Sequence, residues 1–271
     1  GKRRIFMYTQ EQNIEEKTPL HLAIEKQDKG IIQLLINEKT DMNIKTRSSK
    51  SEYYDNRPTH KFPKGYHVND DNIMFQTNSG KFRYEEFSAL HLSIDKNNVD
   101  IFLLLLNSEN IDVNIKSKSE IDYTNVSDFC RDIREMTPLH HAIDKDNSNF
   151  VALLLKHREI DVNISVFVQD PWHKGRITAL CKAIENENLD IINCLLNSPY
   201  IDVNHFSTIN KNYYTKPNYP IFAAVETGRA DIVQALLQHS DIQTNLVDHK
   251  NRTPADLTNN PKIKALFSKY P

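Results

Sequence analysis

The chain has 271 residues, and its 34 basic and 36 acidic residues give a formal net charge of -2 at pH 7. This balance predicts no strong electrostatic field, so we expect neither a nucleic acid nor an anionic membrane as a partner. The longest purely apolar run, 101–106, is far shorter than a bilayer span, and the basic start at 2–4 is not followed by the apolar stretch of a signal peptide. We therefore expect no membrane insertion.

Three cysteines, Cys130, Cys181 and Cys194, form no close pair and no metal-binding spacing. An odd count suits a reducing compartment, which predicts a cytoplasmic location and leaves the nucleus open. We expect Cys181 and Cys194 to pack as thiols rather than as a disulfide or a metal site. The chain begins with Gly1 rather than Met, which is consistent with a segment cut from a longer protein.

The first predicted helix begins at Thr18, whose hydroxyl can cap it, and Pro19 suits the first helical position because no N–H is needed there. Apolar residues at 20, 23 and 24 then share one face. A break at 27–30 leads into a second apolar helix over 31–36, which is followed by the extended step Asp41-Met42-Asn43. Asp and Asn in such a step can bond to the local backbone and hold a turn.

This order of helix, helix and extended step recurs along the chain, so the sequence predicts a repeat protein. The helix openings are 18–21, 88–91, 137–140, 178–181, 219–222 and 253–256. The later second helices are predicted over 99–106, 149–155, 189–196 and 230–237, and the later extended steps are 111–114, 160–163 and 201–204.

The chain resembles the ankyrin-repeat family, with its Thr-Pro-Leu-His-x-Ala opening, its Ile-Val-x-x-Leu-Leu second helix and its Asp-Val-Asn exit, from Thr18 to about Phe267. The resemblance implies helix–turn–helix units joined by hairpin fingers, with a concave groove between the fingers and the inner helices. We assign the fold to the all-α class, as a solenoid of about six units that ends in a degenerate cap. The resemblance also implies that His21, His91 and His140 bond to the backbone between neighbouring units, and that this bond is absent at Cys181 and Phe222.

The turn between the two helices departs from the family pattern, because only Gly228 keeps the usual glycine. The other units have Gln27, Asn97, Asp146 and Glu187 there, and Asn98, Asn147 and Asn188 stand beside the last three. Asparagine tolerates a left-handed conformation, so we expect it to substitute for glycine and the turn to form.

The spacing of the openings also departs from the family, in which a unit has about 33 residues. The chain reads as one domain over 1–271, with repeats at 18–45, 88–116, 137–165, 178–206 and 219–247 and a cap at 253–271. The extra length falls in the fingers, at 46–87, 117–136, 166–177 and 207–218. Insertions on one edge of a solenoid commonly serve binding.

The fingers carry many aromatic residues, which either form a small satellite core or present a binding surface. The largest finger contains Tyr53, Tyr54, Phe62, Tyr66, Phe75, Phe82 and Tyr84, and the later ones contain Trp172, Tyr213 and Tyr214. Trp172 is the best single anchor for a partner, or it caps the adjacent helices. A further interpretation is that the first finger occupies the groove as a plug.

A charged column follows the apolar face of each first helix. It consists of Glu25 and Lys26, Asp95 and Lys96, Asp144 and Lys145, Glu185 and Asn186, and Glu226 with Thr227. The column either orients a charged partner or pairs with itself across repeats, and a basic partner would prefer its C-terminal end. Our candidate partner-binding residues are the members of this column from Glu25 to Glu226. They also include the finger residues Tyr53, Tyr54, Trp172, Tyr213 and Tyr214.

The sequence contains no phosphate loop, no nucleophile elbow and no zinc motif. The adjacent residues His140 and His141 diverge on a helix, and the stretch 69–72 lacks the spacing of a calcium loop. We therefore predict no cofactor, no metal and no enzymatic activity. The function predicted is that of a monomeric module that binds a protein or peptide. The alternative is a regulatory or targeting segment of a larger enzyme, channel or secreted effector.

Overall fold

The helices of the protein are arranged in consecutive pairs. The computed structural model describes residues 13–38, 40–54, 79–124, 131–170, 173–211, 214–248 and 250–270. The first helix of each pair, here called the inner helix, lies next to the inner helices of the neighbouring pairs. The inner helices are α1 (Pro19–Lys26), α3 (Ala89–Asp95), α5 (Pro138–Asp144), α7 (Ala179–Glu185) and α9 (Pro220–Thr227).

The second helix of each pair, the outer helix, packs against the outer helices before and after it. The outer helices are α2 (Lys29–Asn37), α4 (Val99–Leu106), α6 (Ser148–Leu155), α8 (Leu189–Leu196) and α10 (Ala230–Leu237). A 3-10 helix (Pro254–Leu257) and α11 (Pro261–Lys269) follow. The longest helices described have nine residues, so none of the described helices could cross a membrane.

The turn between the paired helices forms without glycine, as the sequence predicts. The turn residues have left-handed φ angles of 56° at Gln27, 50° at Asn97, 56° at Asp146, 55° at Glu187 and 74° at Gly228. The asparagines beside them do not adopt the left-handed conformation of the turn that the sequence predicts, but have another role. Asn98, Asn147 and Asn188 are the N-caps of the outer helices, where each side chain accepts a hydrogen bond from a backbone N–H.

The core runs through the helical stack as one continuous cluster. Its regularity is clearest at the fourth residue of each outer helix, where every side chain is fully buried. These side chains are Ile32, Phe102, Val151, Ile192 and Val233, each 0% exposed. Apolar spacing in the sequence is sufficient to place these residues, because burial in the stack follows the helical period.

Assignment to the all-α class is wrong, because the fingers form a nine-stranded antiparallel sheet in sequence order. Each finger contributes an outgoing and a return strand, and its neighbours supply partners for the remaining backbone N–H and C=O groups. The strands are β1 (Asn13–Glu16), β2 (Arg47–Tyr54), β3 (Ser79–Glu86), β4 (Ser117–Thr124), β5 (Arg131–Met136), β6 (Ser165–Gln169), β7 (His173–Thr178), β8 (Ser207–Lys211) and β9 (Tyr214–Asn218).

The extended step that follows each of the first four outer helices is a hydrogen-bonded turn, as predicted. In each step the aspartate Oδ1 accepts from the asparagine N–H two residues later, at 2.9 Å in Asp41–Asn43 and 3.0 Å in Asp202–Asn204. The asparagine side chain then reaches the next unit. Asn114 donates from Nδ2 to the Glu159 carbonyl at 2.7 Å, and its Oδ1 accepts from Asp161 N–H at 3.0 Å.

The same two bonds recur at Asn43, Asn163 and Asn204, and we call each pair of bonds an asparagine clamp. The clamps join successive units through these extended steps, while the sheet joins them through the fingers. Each junction between these units is therefore bonded in two places besides its apolar core.

Candidate functional site

A cavity of about 390 Å³ lies where the inner helices α5 and α7 face the strands β5 to β7. We call it the groove cavity. Its apolar lining comes from Met136, Val166, Val168 and Ile177. Residues two apart on a strand point to the same face, so the Val-x-Val sequence of β6 puts both valines towards the helices.

The strand register completes this apolar surface. Val166 pairs with Ile177 of β7, and Arg134 of β5 pairs with Val168. Val166 and Ile177 are 1% and 3% exposed and pack with Cys181 of α7, whereas Val168 is half-buried. The deep part of the surface thus attaches the strands to the helices, and its outer part is accessible to a ligand.

The border of the groove cavity is predominantly acidic. It carries the carboxylates of Asp132, Glu135, Asp144, Asp170 and Glu185, against two cations, Arg134 and Lys182. Lys182 Nζ lies 3.1 Å from Asp144 Oδ1, and Arg134 Nε lies 3.2 Å from Asp132 Oδ1. The carboxylates outnumber the cations, so the cavity has a negative charge at neutral pH.

Arg134 lies among several of these carboxylates. Burial acts to lower the pKa of its guanidinium, but the hydrogen bonds that it donates to Asp132 and the charges of Asp132, Asp144 and Asp170 outweigh burial and raise the pKa. The side chain is 50% exposed. A permanently charged arginine at this border shows that the surrounding carboxylates already accommodate a guanidinium.

His140 forms part of the wall of the groove cavity and is 2% exposed. Burial lowers its pKa to about 4, so the imidazole is neutral at pH 7. Its Nδ1 lies 2.8 Å from the hydroxyl of Thr137, the N-cap of α5. We assign His140 to the structure of the helix opening rather than to chemistry.

The predicted bond from a histidine to the next unit is confirmed at His91, whose Nε2 lies 3.0 Å from the Met136 carbonyl. A carbonyl can only accept, so Nε2 carries the proton and Nδ1 accepts from the Ser88 hydroxyl at 2.7 Å. Burial lowers the pKa of His21 and His140, whereas the equivalent backbone groups, at Phe87 and Ile177, act as hydrogen-bond partners that raise it, but neither Nε2 reaches full hydrogen-bond geometry. The bond is therefore fully formed at His91 and weaker at His21 and His140.

Cys181 occupies the histidine position in the fourth unit, and the histidine bond is absent there as expected. The thiol instead lies with Sγ 3.7 Å from the Asn218 carbonyl, which is the equivalent acceptor. At Phe222 a ring replaces the bond and packs 6.2 Å from the ring of Tyr219. Cys181 and Cys194 are both free thiols, as predicted.

The charged column is paired at its first three acidic positions. Asp95 Oδ1 accepts from Lys145 of the next unit at 2.7 Å, and it also lies 3.0 Å from His141 Nε2. Burial acts to raise the pKa of Asp95, but the hydrogen bonds from His141 and Lys145 hold it at about 2. Glu25 pairs with Lys17 at 2.8 Å.

The remaining members of the column differ in their contacts and in their exposure to solvent. Asn186 donates from Nδ2 to the Ile143 carbonyl at 3.0 Å, which ties it to the preceding unit. Lys26, Lys96 and Glu226 are exposed. Of the predicted column, only Asp144 and Glu185 line the groove cavity.

The candidate aromatic residues of the fingers lie largely beyond what the structure describes. Trp172 and Tyr213 fall outside the described residues, as does the segment 55–78 of the proposed plug. Tyr53 and Tyr54 lie in β2 and Tyr214 in β9. Of the other aromatic residues of the first finger, Phe82 is 37% exposed and the Tyr84 hydroxyl donates to Glu86.

Sequence reasoning missed Asp132, Arg134 and Lys182 at the groove cavity. Their positions depend on the register between β5 and β6 and on the packing of α7, which no local pattern reveals. The alternation of Val166 and Val168 is a local signal that could have located the apolar surface. No cluster of three metal-ligating side chains occurs within the described ranges.

Two family models match the chain. The model described as ankyrin repeats (3 copies) matches residues 119–207, and the model described as ankyrin repeat matches 15–47 and 85–118. Together these matches cover more than half of the chain. No curated protein sequence matches it.

Solved structures share the fold at low sequence identity. The ankyrin repeat protein EF0377 superposes with a TM-score of 0.55 and 17% identity, over 93% of this chain and 97% of that one. The ankyrin repeat domain of Bcl-3, described as a member of the IkappaB protein family, gives a TM-score of 0.51 and 15% identity, over 93% and 98%. At this identity the likeness supports the arrangement of the helices and carries no information on a partner.

Proposed function

This chain belongs to the ankyrin-repeat family, and on that premise we propose that it is a non-enzymatic module that binds a protein or peptide through its groove and elongated fingers. Ankyrin repeats generally mediate protein–protein interaction. The observation that carries the proposal is the groove cavity, which lies between the inner helices and the fingers. A recess of this kind, apolar at its base and polar at its border, suits a side chain of a partner.

The charge of the groove cavity favours a basic segment. Five carboxylates line it, whereas Arg134 and Lys182 of the lining and the nearby Lys116, which lies 3.6 Å from Glu135, supply three cations. The side chain of lysine or arginine has an apolar stem and a cationic head, so it can cover Val168 and Met136 while its charge reaches Asp144 or Glu185. Basic side chains with apolar neighbours are thus the preferred ligands of this section of the groove.

Selection of phage-displayed random peptides on the immobilised protein tests this proposal. We expect the selected peptides to be enriched in lysine or arginine next to apolar residues. The double variant Asp144→Lys with Glu185→Lys should bind a selected peptide about tenfold more weakly or worse, because it replaces attraction with repulsion at the cavity.

Asp190→Lys is the matched control, since it reverses one exposed carboxylate in the first turn of the outer helix α8. It should leave peptide affinity unchanged. Selected peptides without basic residues, or full binding by the double variant, would contradict the proposal.

No observation on the described residues favours the alternative of a regulatory or targeting segment of a larger enzyme, channel or effector. The monomeric state and the cytoplasmic or nuclear location stay predictions of the sequence.

A further inference from the structure

The first helix pair exposes apolar side chains that a terminal repeat usually replaces with polar ones. Leu22 of α1 is 49% exposed, and Ile31 and Leu34 of α2 are 48% and 64% exposed. Terminal units of a repeat array need a polar outward face for solubility. The face formed by Leu22, Ile31 and Leu34, here called the leading face, does not meet that need.

The position of Ile31 is buried in every later unit. Counted from the N-cap of the outer helix, Ile31 corresponds to Ile101, Phe150, Ile191 and Ile232. Each of these four side chains is 0% exposed. The difference does not lie in the residue type, since three of the four are also isoleucine. It lies in the preceding unit, which each later helix pair has as a neighbour and which the first pair lacks within the described residues.

The first strand of the sheet also lacks a second partner within the described residues. The return strands β3, β5, β7 and β9 each pair with the outgoing strand of their own finger. β1 leads into α1 as these strands lead into their inner helices, yet it pairs only with β2 among the described residues. β1 is therefore a return strand whose outgoing mate does not occur in the part of the chain that is described.

The asparagine clamps give a third indication. The backbone N–H groups of Asp112, Asp161 and Asp202 each donate a hydrogen bond to the asparagine Oδ1 of the preceding unit, at 2.8, 3.0 and 2.8 Å. Asp41 holds the equivalent place in the first unit. Within the described ranges no asparagine reaches its N–H.

The opposite end of the stack is closed. α11 packs on α10 through the buried Ile263, and its exposed positions include Lys262, Lys264 and Lys269. A polar helix thus covers the last unit, whereas the leading face of the first unit is apolar. The two ends differ in the way that an interior junction differs from a terminus.

We propose that the leading face is an interior junction, which stacks against one further helix–turn–helix unit of the same kind. That unit precedes β1 in the same polypeptide, because a finger joins the outgoing strand to the return strand at every other junction. Its outgoing strand pairs with the edge of β1 that lies opposite β2, and its exit asparagine clamps Asp41. This junction is independent of the ligand of the groove.

Two matched substitutions in the 271-residue chain provide the first test. Ile31→Ala and Ile191→Ala remove the same atoms at equivalent positions, one on the leading face and one inside the stack. We expect Ile191→Ala to lower the urea midpoint of unfolding clearly and Ile31→Ala to lower it only slightly. Equal losses would mean that the chain already covers the leading face, and the proposal would be overturned.

The second test supplies the missing unit. A second copy of residues 88–136, which contains a helix pair, an exit step and a finger, replaces residues 1–17 ahead of Thr18. We expect the extended protein to unfold in one transition at a higher urea midpoint, and Ile31→Ala to become as costly as Ile191→Ala. A separate transition for the added unit, with the small effect of Ile31→Ala unchanged, would overturn the proposal.

Discussion

The helical stack and the strand layer run through the same units but are held together by different interactions. In the stack, equivalent aliphatic or aromatic side chains such as Phe102 and Val151 are fully buried at every unit. In the strand layer, backbone hydrogen bonds are accompanied by partly exposed ion pairs such as Arg131 with Glu120, at 2.9 Å. We therefore expect the stack to contribute most of the stability, and the strand side chains to vary with little loss except where they are buried, as at Val166 and Ile177.

The largest expected loss of stability comes from a substitution in the helical stack. Phe102 is fully buried and its ring packs edge to face with Phe150 at 4.8 Å, so Phe102→Ala should lower the free energy of unfolding by about 3–5 kcal/mol. Phe82→Ala in the strand layer is the matched control, because Phe82 is 37% exposed and should lose less than about 1 kcal/mol. Urea unfolding monitored by circular dichroism measures both. Similar losses would show that the two layers contribute equally.

An intermediate effect is expected on acidification, because the stack buries neutral histidines. Burial and the neighbouring His141 lower the pKa of His91 to about 3, and burial lowers that of His140 to about 4. The unfolded chain therefore binds more protons below pH 6.5, and stability falls as the pH drops from there towards the folded pKa values. Each histidine should cost about 2 kcal/mol at pH 5 relative to pH 7, measured by urea unfolding.

Variants of the chain locate this acid sensitivity. His91→Cys copies the residue that the fourth unit carries at Cys181, and it should remove about 2 kcal/mol of the loss between pH 7 and pH 5. His205→Gln serves as the control, since that side chain is 41% exposed and should leave the loss unchanged. An undiminished loss in His91→Cys would assign the acid sensitivity to other groups.

The smallest expected effect is in the strand layer. Arg131 pairs with Glu120 at 2.9 Å and Asp122 at 3.3 Å, and its side chain is 47% exposed. Arg131→Ala should lower the free energy of unfolding by no more than about 1 kcal/mol, and the difference should shrink in 1 M salt because exposed pairs are screened. A loss as large as that of Phe102→Ala would place this pair among the principal contributors to stability.

The helical stack could be predicted from the sequence because its signals are local. Thr18 and Pro19 mark a helix start, the apolar spacing identifies the buried face, and the turn forms at Gln27 without glycine. Each of these features depends on residues within one turn of helix of each other. The same local reasoning gave the turn formed by Asp41 and Asn43.

The joining of the fingers into one sheet and the lining of the groove cavity could not be predicted, because they depend on distant residues. β2 reads Arg-Ser-Ser-Lys-Ser-Glu-Tyr-Tyr, in which apolar and polar residues do not alternate, and 24 residues separate it from its partner β3. Arg134 meets Val168 only through the register of β5 with β6. The role of Asn114 is also hidden, since the carbonyl that it binds belongs to Glu159 of the next unit.

The asparagine clamps are also sites at which deamidation would change the contact between neighbouring units. Each clamp depends on an amide nitrogen, such as Nδ2 of Asn114, that lies 2.7 Å from a backbone carbonyl. Spontaneous deamidation would turn that nitrogen into a carboxylate oxygen, which cannot donate and would oppose the carbonyl with a negative charge. Deamidation at a clamp would therefore weaken one junction between units without removing a side chain that lines the groove cavity.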